Sequence, residues 1–154
     1  MTEMFDKEIR HQSLIFASPE RIYDAITSGA GWNAFFTADT EVDPRPEGRI
    51  VFRWKDWGPH KYSVNAEGKV HRAERPGLFS FEWYPVGQEH PTLITFTITP
   101  REDGTVVGVT ESGYPDTAFG REMILECATG WGEAVTLLKF YLEHGVTYDQ
   151  ARKR

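Results

Sequence analysis

The sequence predicts an α+β domain: one curved antiparallel sheet of about seven strands, a single long C-terminal helix against it, and two short helices after the first strand. Three observations lead there. Between residues 119 and 144, Ile124, Ala128, Trp131, Val135, Leu138 and Leu142 recur at alternating steps of four and three, which lays them along one face of a helix. Almost everything before that stretch alternates at period two, the pattern of strands with one buried face. The alternating runs are joined largely by turn-length connections, and short connections make neighbouring strands antiparallel. Strands followed by a helix belong to the α+β class. A strongly twisted sheet of this size curls, so the helix can lie in its concave side.

The elements follow in order. Residues 1–6 read as a frayed end. Residues 7–17 alternate, with Ile9, His11, Ser13 and Ile15 on one side, and form the first strand. Ser18-Pro19-Glu20 starts a helix, with Ser as N-cap, Pro in the first turn and an acid beside it. Ser28-Gly29 reads as its end. Trp32, Phe35 and Phe36 mark a second short helical turn that plugs one end of the core. Strands are then predicted over 42–46, 48–55, 62–72, 79–83, 92–99 and 105–113. Asp56-Trp57-Gly58-Pro59 and Arg75-Pro76-Gly77 supply turns, and Glu102-Asp103-Gly104 a hairpin. In the long helix, Gly145 suits the left-handed position just past the C-terminus. Gly130 and Gly132 flank Trp131 and each costs about 1 kcal/mol in a helix interior. They serve either close helix–sheet packing or room for a guest beneath the helix.

A chain of 154 residues suits one domain spanning 1–154. With 40% hydrophobic and 14% aromatic residues it can build a large core or wall an apolar cavity. A net charge of −6 argues against nucleic acid, which needs a basic face, and against docking on anionic lipid. Cys127 has no intramolecular partner, so a reducing, cytoplasmic setting is expected. No apolar run approaches a bilayer span. The basic tail Arg152-Lys153-Arg154 reads as a solvated terminus.

Glu111 shares a strand face with Val107 and Val109, so it points towards the helix. A carboxyl facing apolar surroundings is costly unless paired, hydrogen-bonded or protonated. It is either a polar anchor or general acid/base at a pocket mouth, or a strand-end carboxylate, partly wet, bonded to Tyr114 or Trp131. His11 either lines a cavity or sits on the sheet surface. The five histidines form no metal motif, and Cys127 has no nearby cysteine or histidine, so no metal or other cofactor is expected. Trp54, Phe81, Trp83, Phe96 and Trp131 are enough rings on one sheet face for a core or a pocket wall.

Several stretches together resemble a known family. They are Ala17-Ser18-Pro19-Glu20-Arg21-Ile22-Tyr23, Gly48-Arg49-Ile50-Val51-Phe52-Arg53-Trp54 and Phe79-Ser80-Phe81-Glu82-Trp83. Thr95-Phe96-Thr97-Ile98, Val109-Thr110-Glu111-Ser112-Gly113-Tyr114 and Gly130-Trp131 complete the set. In this order they resemble the helix-grip domains called START-like or SRPBCC. The group they resemble most is the homologues of the C-terminal domain of the 90-kDa heat-shock protein ATPase activator. The resemblance implies the helix-grip fold but no single activity, since the superfamily holds lipid carriers, receptors, polyketide cyclases and co-chaperone domains. The eukaryotic co-chaperone of the family carries a further N-terminal domain that is not found in these 154 residues.

The leading expectation is therefore a domain that holds a small apolar or amphipathic ligand between helix and sheet. Trp54, Trp83, Phe96, Glu111, Tyr114, Trp131 and His11 would line the site, and no catalytic set is recognised. One rival is a cyclase, dehydratase or hydrolase on an aromatic or polyketide-like substrate, using Glu111 and His11. The other is a chaperone-accessory protein that binds its partner through its surface. A homodimer is compatible with all three.

Overall fold

The computed structural model describes residues 3–148. The chain runs β1 (Ile9–Ile15), α1 (Pro19–Ile26), α2 (Gly29–Phe35), β2 (Glu41–Val42), β3 (Arg49–Trp57), β4 (Tyr62–Glu74), β5 (Leu78–Trp83), β6 (Thr92–Arg101), β7 (Gly104–Ser112) and α3 (Ala118–His144). All seven strands join one sheet in the order β1-β7-β6-β5-β4-β3-β2, and every neighbouring pair is antiparallel. This is the helix-grip architecture predicted from the order of elements. The basic tail at 152–154 lies outside the described residues.

The caps explain where the helices begin. Ser18 accepts the Arg21 N–H and starts α1, with Pro19 in its first turn. Ser28 accepts the Gly31 N–H and donates its hydroxyl to the Asp24 carbonyl, so Ser28-Gly29 opens α2 at the same point where α1 ends. The same residue types serve both roles, and here one serine fills both. Thr117 caps α3 through the Gly120 N–H, and Gly145, at φ 68°, closes it in the left-handed region. Residues 3–5 are not frayed: Phe5 donates to the Tyr114 carbonyl and Asp116 to that of Glu3, pairing the N-terminus with the approach to α3.

α3 is 27 residues, roughly 40 Å at the helical rise. Ile124, Trp131, Ala134, Val135, Leu138 and Leu142 are buried along it. Ala128, expected on this face, is exposed. The buried arc is turned towards Cys127 and Ala134, and Ala128 falls just past its other edge. The backbone of α3 comes close to β1 and α2. Towards β5 and β6 the gap is spanned by rings, with Trp131 centred 5.4 Å from Trp83, 5.7 Å from Phe96 and 6.4 Å from Phe81. Fastened on one side and propped by rings on the other, α3 leaves a space at its flank.

Strand β3 runs two residues further than predicted, with a register irregularity between Trp54 and Trp57. An extra residue in a strand brings side chains three apart onto the same face. Trp54 and Trp57 accordingly both pack on Phe36, at 5.5 and 5.0 Å between ring centres.

Candidate functional site

All five tryptophans of the chain converge on one pocket. It holds about 220 Å³ between the flank of α3 and strands β3 to β5, and is lined by Trp32, Phe36, Phe52, Trp54, Trp57, Tyr62, Trp83, Glu126, Cys127, Gly130, Trp131 and Glu133. A second depression of about 390 Å³ adjoins it and shares Trp54, Tyr62, Trp83 and Cys127. The rings of the wall pack on one another. Trp32 lies edge-on to Phe52 at 4.9 Å and donates its N–H to the Ile26 carbonyl, and Phe52 stacks on Trp54. Gly130 opens the helix side, since a Cβ built there would meet nothing within 4 Å. Close helix–sheet packing is therefore not the reason for this glycine. Gly132 likewise faces open space.

Glu111 lies behind this wall, fully buried. Its Oε1 accepts the Trp131 indole N–H at 2.8 Å, and its Oε2 accepts the Trp83 indole N–H at 2.7 Å and the Thr92 hydroxyl at 2.5 Å. Strands β5, β6 and β7 and helix α3 are thus pinned to one carboxyl. The sequence expectation of a partly wet strand-end group is corrected to a dry one. The bond to Trp131 is as expected, and those to Trp83 and Thr92 are additional. Buried polar groups are retained where hydrogen bonds satisfy them, and both carboxyl oxygens are already engaged.

The Tyr114 hydroxyl is buried beside Glu111 and Cys127 but meets hydrogen-bond geometry with neither. Burial first, and the Glu111 charge second, push its ionisation far above the usual phenol range. The same two causes push the Cys127 thiol up to about 12, leaving it a poor nucleophile.

The expected site residues therefore separate. Trp54, Trp83 and Trp131 line the pocket. Phe96 lies beneath it, against Trp32 and Trp131. Glu111 and Tyr114 are buried behind the wall and are not among its lining residues. His11, paired with Val109 on the edge strand β1, borders a separate shallow depression with Arg10, Gln12, Thr97 and Thr110. Glu111 and His11 share neither a hydrogen bond nor a pocket. Trp57, Tyr62, Glu126 and Glu133 were missed. Trp57 had been read as a turn residue, and the two acids lie outside the apolar stripe of α3. Their seven-residue spacing beside the apolar stripe is the one signal that could have placed both on a single flank.

The sequence profile described as Activator of Hsp90 ATPase homolog 1-like protein matches residues 16–143. The chain belongs to this family. The solution structure of the Aha1 dimer from Colwellia psychrerythraea matches with TM-score 0.76 and 26% identity, over 90% of this chain and 98% of that one. SSP2350 from Staphylococcus saprophyticus matches with TM-score 0.70 and 24% identity, over 92% and 95%. DynU16, a protein of the dynemicin biosynthetic locus, matches with TM-score 0.77 and 19% identity, over 94% of this chain and 51% of that chain. At the identities of the last two, the likeness is one of fold. None of the curated proteins matches the sequence. Among the described residues no helix is long and apolar enough to cross a membrane, and no cluster of His, Cys, Asp and Glu could hold a metal ion.

Proposed function

We propose that this member of the Activator of Hsp90 ATPase homolog 1-like family is a small-molecule-binding domain, its ligand an apolar or amphipathic compound seated against the tryptophans at the flank of α3. The convergence of all five tryptophans on one unfilled pocket carries this reading. A void of about 150 Å³ already accepts benzene, so 220 Å³ suits one ring with a small substituent. Apolar walls with few polar groups are the usual composition of such sites. The Trp54 N–H is buried without an acceptor, and a ligand oxygen would satisfy it. Intrinsic fluorescence reports on every wall at once. Titration with monocyclic aromatics and short amphiphiles is expected to give saturable changes that follow a shared stoichiometry in calorimetry. An absence of saturable binding across that panel would defeat the reading.

Family membership favours a second reading, docking on a chaperone of the 90-kDa heat-shock type. Leu125 and Phe140 are exposed on the outer side of α3 and offer apolar contact to a partner or a second copy. Sedimentation of the protein alone, and of a mixture with such a chaperone, distinguishes self-association from capture.

A further inference from the structure

The pocket just proposed as a ligand site has an uneven charge lining. Among the described residues its only charged lining residues are Glu126 and Glu133, on the flank of α3, and none of the lining residues is Lys, Arg or His. Neither acid is in an ion pair among the described residues. Their field reaches the mouth: after burial, Glu133 and then Glu126 hold the Tyr62 phenol protonated above its usual range. The rest of the wall is aromatic, and ring faces carry partial negative charge that attracts cations. A ligand carboxylate would meet two like charges and, among the described lining residues, no counter-charge. A neutral ligand would leave both acids unused. The net charge of −6 also raises the local concentration of cations around the chain.

We propose that the pocket takes an organic cation, an ammonium with apolar substituents, its substituents against Trp54, Trp57, Trp83 and Trp131 and its charge beside Glu126 and Glu133. This rests on the pocket being a ligand site. The aromatic wall supplies affinity for the apolar part that a neutral isostere shares. The two carboxylates supply the discrimination that such an isostere lacks.

The test uses three ligands that share a benzyl group: benzyltrimethylammonium, neopentylbenzene as its neutral isostere, and phenylacetate as an anion. Calorimetry on the full chain at low ionic strength should show the cation binding about tenfold or more tighter than the neutral isostere, and the anion weakest. In the Glu126→Gln/Glu133→Gln double variant the advantage of cation over isostere should fall below about threefold. Both positions are exposed, and thermal melting verifies that the variant folds. If the isostere binds the wild type as tightly as the cation, or the double variant keeps the full advantage, the cation assignment is overturned and the pocket stands. If none of the three binds, the pocket reading fails and the cation assignment fails with it.

Discussion

At the scale of single residues, Glu111 decides how the interior is wired. Replacing it by Gln leaves one acceptor oxygen where two served. Whichever way the amide sits, its NH₂ group faces an indole N–H, that of Trp131 on one side or Trp83 on the other. Two buried donors then oppose each other, and Glu111→Gln should cost on the order of 1–3 kcal/mol. Urea unfolding at unchanged slope measures this. A loss below about 0.5 kcal/mol, as for a surface substitution, would contradict the hub. Trp131→Ala removes a ring packed against Phe81, Trp83 and Phe96 together with one of those donors, and should cost about 3–5 kcal/mol. The inward direction of Glu111 was legible from its alternation with Val107 and Val109. Its partners were not, because Trp83 and Thr92 lie 28 and 19 residues away in sequence. Only the strand register brings them to the same carboxyl.

At the scale of elements, the fixed side of α3 is held by a polar stitch. Lys139 reaches the Leu14 carbonyl at the end of β1 and pairs with Glu143 at 2.7 Å, and Glu143 in turn accepts the Phe16 N–H at 2.9 Å. Lys139 first, then the Phe16 N–H, hold the Glu143 carboxyl below the usual range. A carboxyl lowered in the folded state stabilises the fold above its unfolded pKa, about 4.3, and loses that contribution as pH falls through the folded value. Wild type should therefore exceed Glu143→Gln by about 0.5–1 kcal/mol at pH 7, the upper part of the range for exposed pairs. The gap should shrink below about pH 4. Melting curves of both proteins across pH 2–8 show this, and a gap unchanged down to pH 2 would contradict it. The helices and most strands were readable from period and caps, since those signals are local. Ser28-Gly29 was read only as a stop, although the same residues also start the next helix. The far end of β3 misled because an irregularity breaks the alternation on which a strand is recognised, and Trp57 was lost with it.

At the scale of the whole molecule, the space beside α3 sets stability against binding. A core that filled it would be more stable, and proteins commonly give up such stability where a site is needed. Gly130 is where that exchange can be measured. A side chain there tilts towards the N-terminus of the helix, over the preceding turn that holds Glu126 and Cys127, and both of these line the pocket. Nothing within 4 Å opposes a Cβ. Gly130→Leu should therefore gain about 0.5–1 kcal/mol from helix propensity alone. For a chain of this size that raises the melting temperature by about 1–4 °C. The same side chain occupies ligand space, so affinity for benzyltrimethylammonium and for its neutral isostere should fall together, by about tenfold or more. Calorimetry and thermal melting on one preparation give both quantities. A variant that is more stable yet binds as wild type would move the ligand away from Gly130, and one that is destabilised would mean that the flank of α3 is not open.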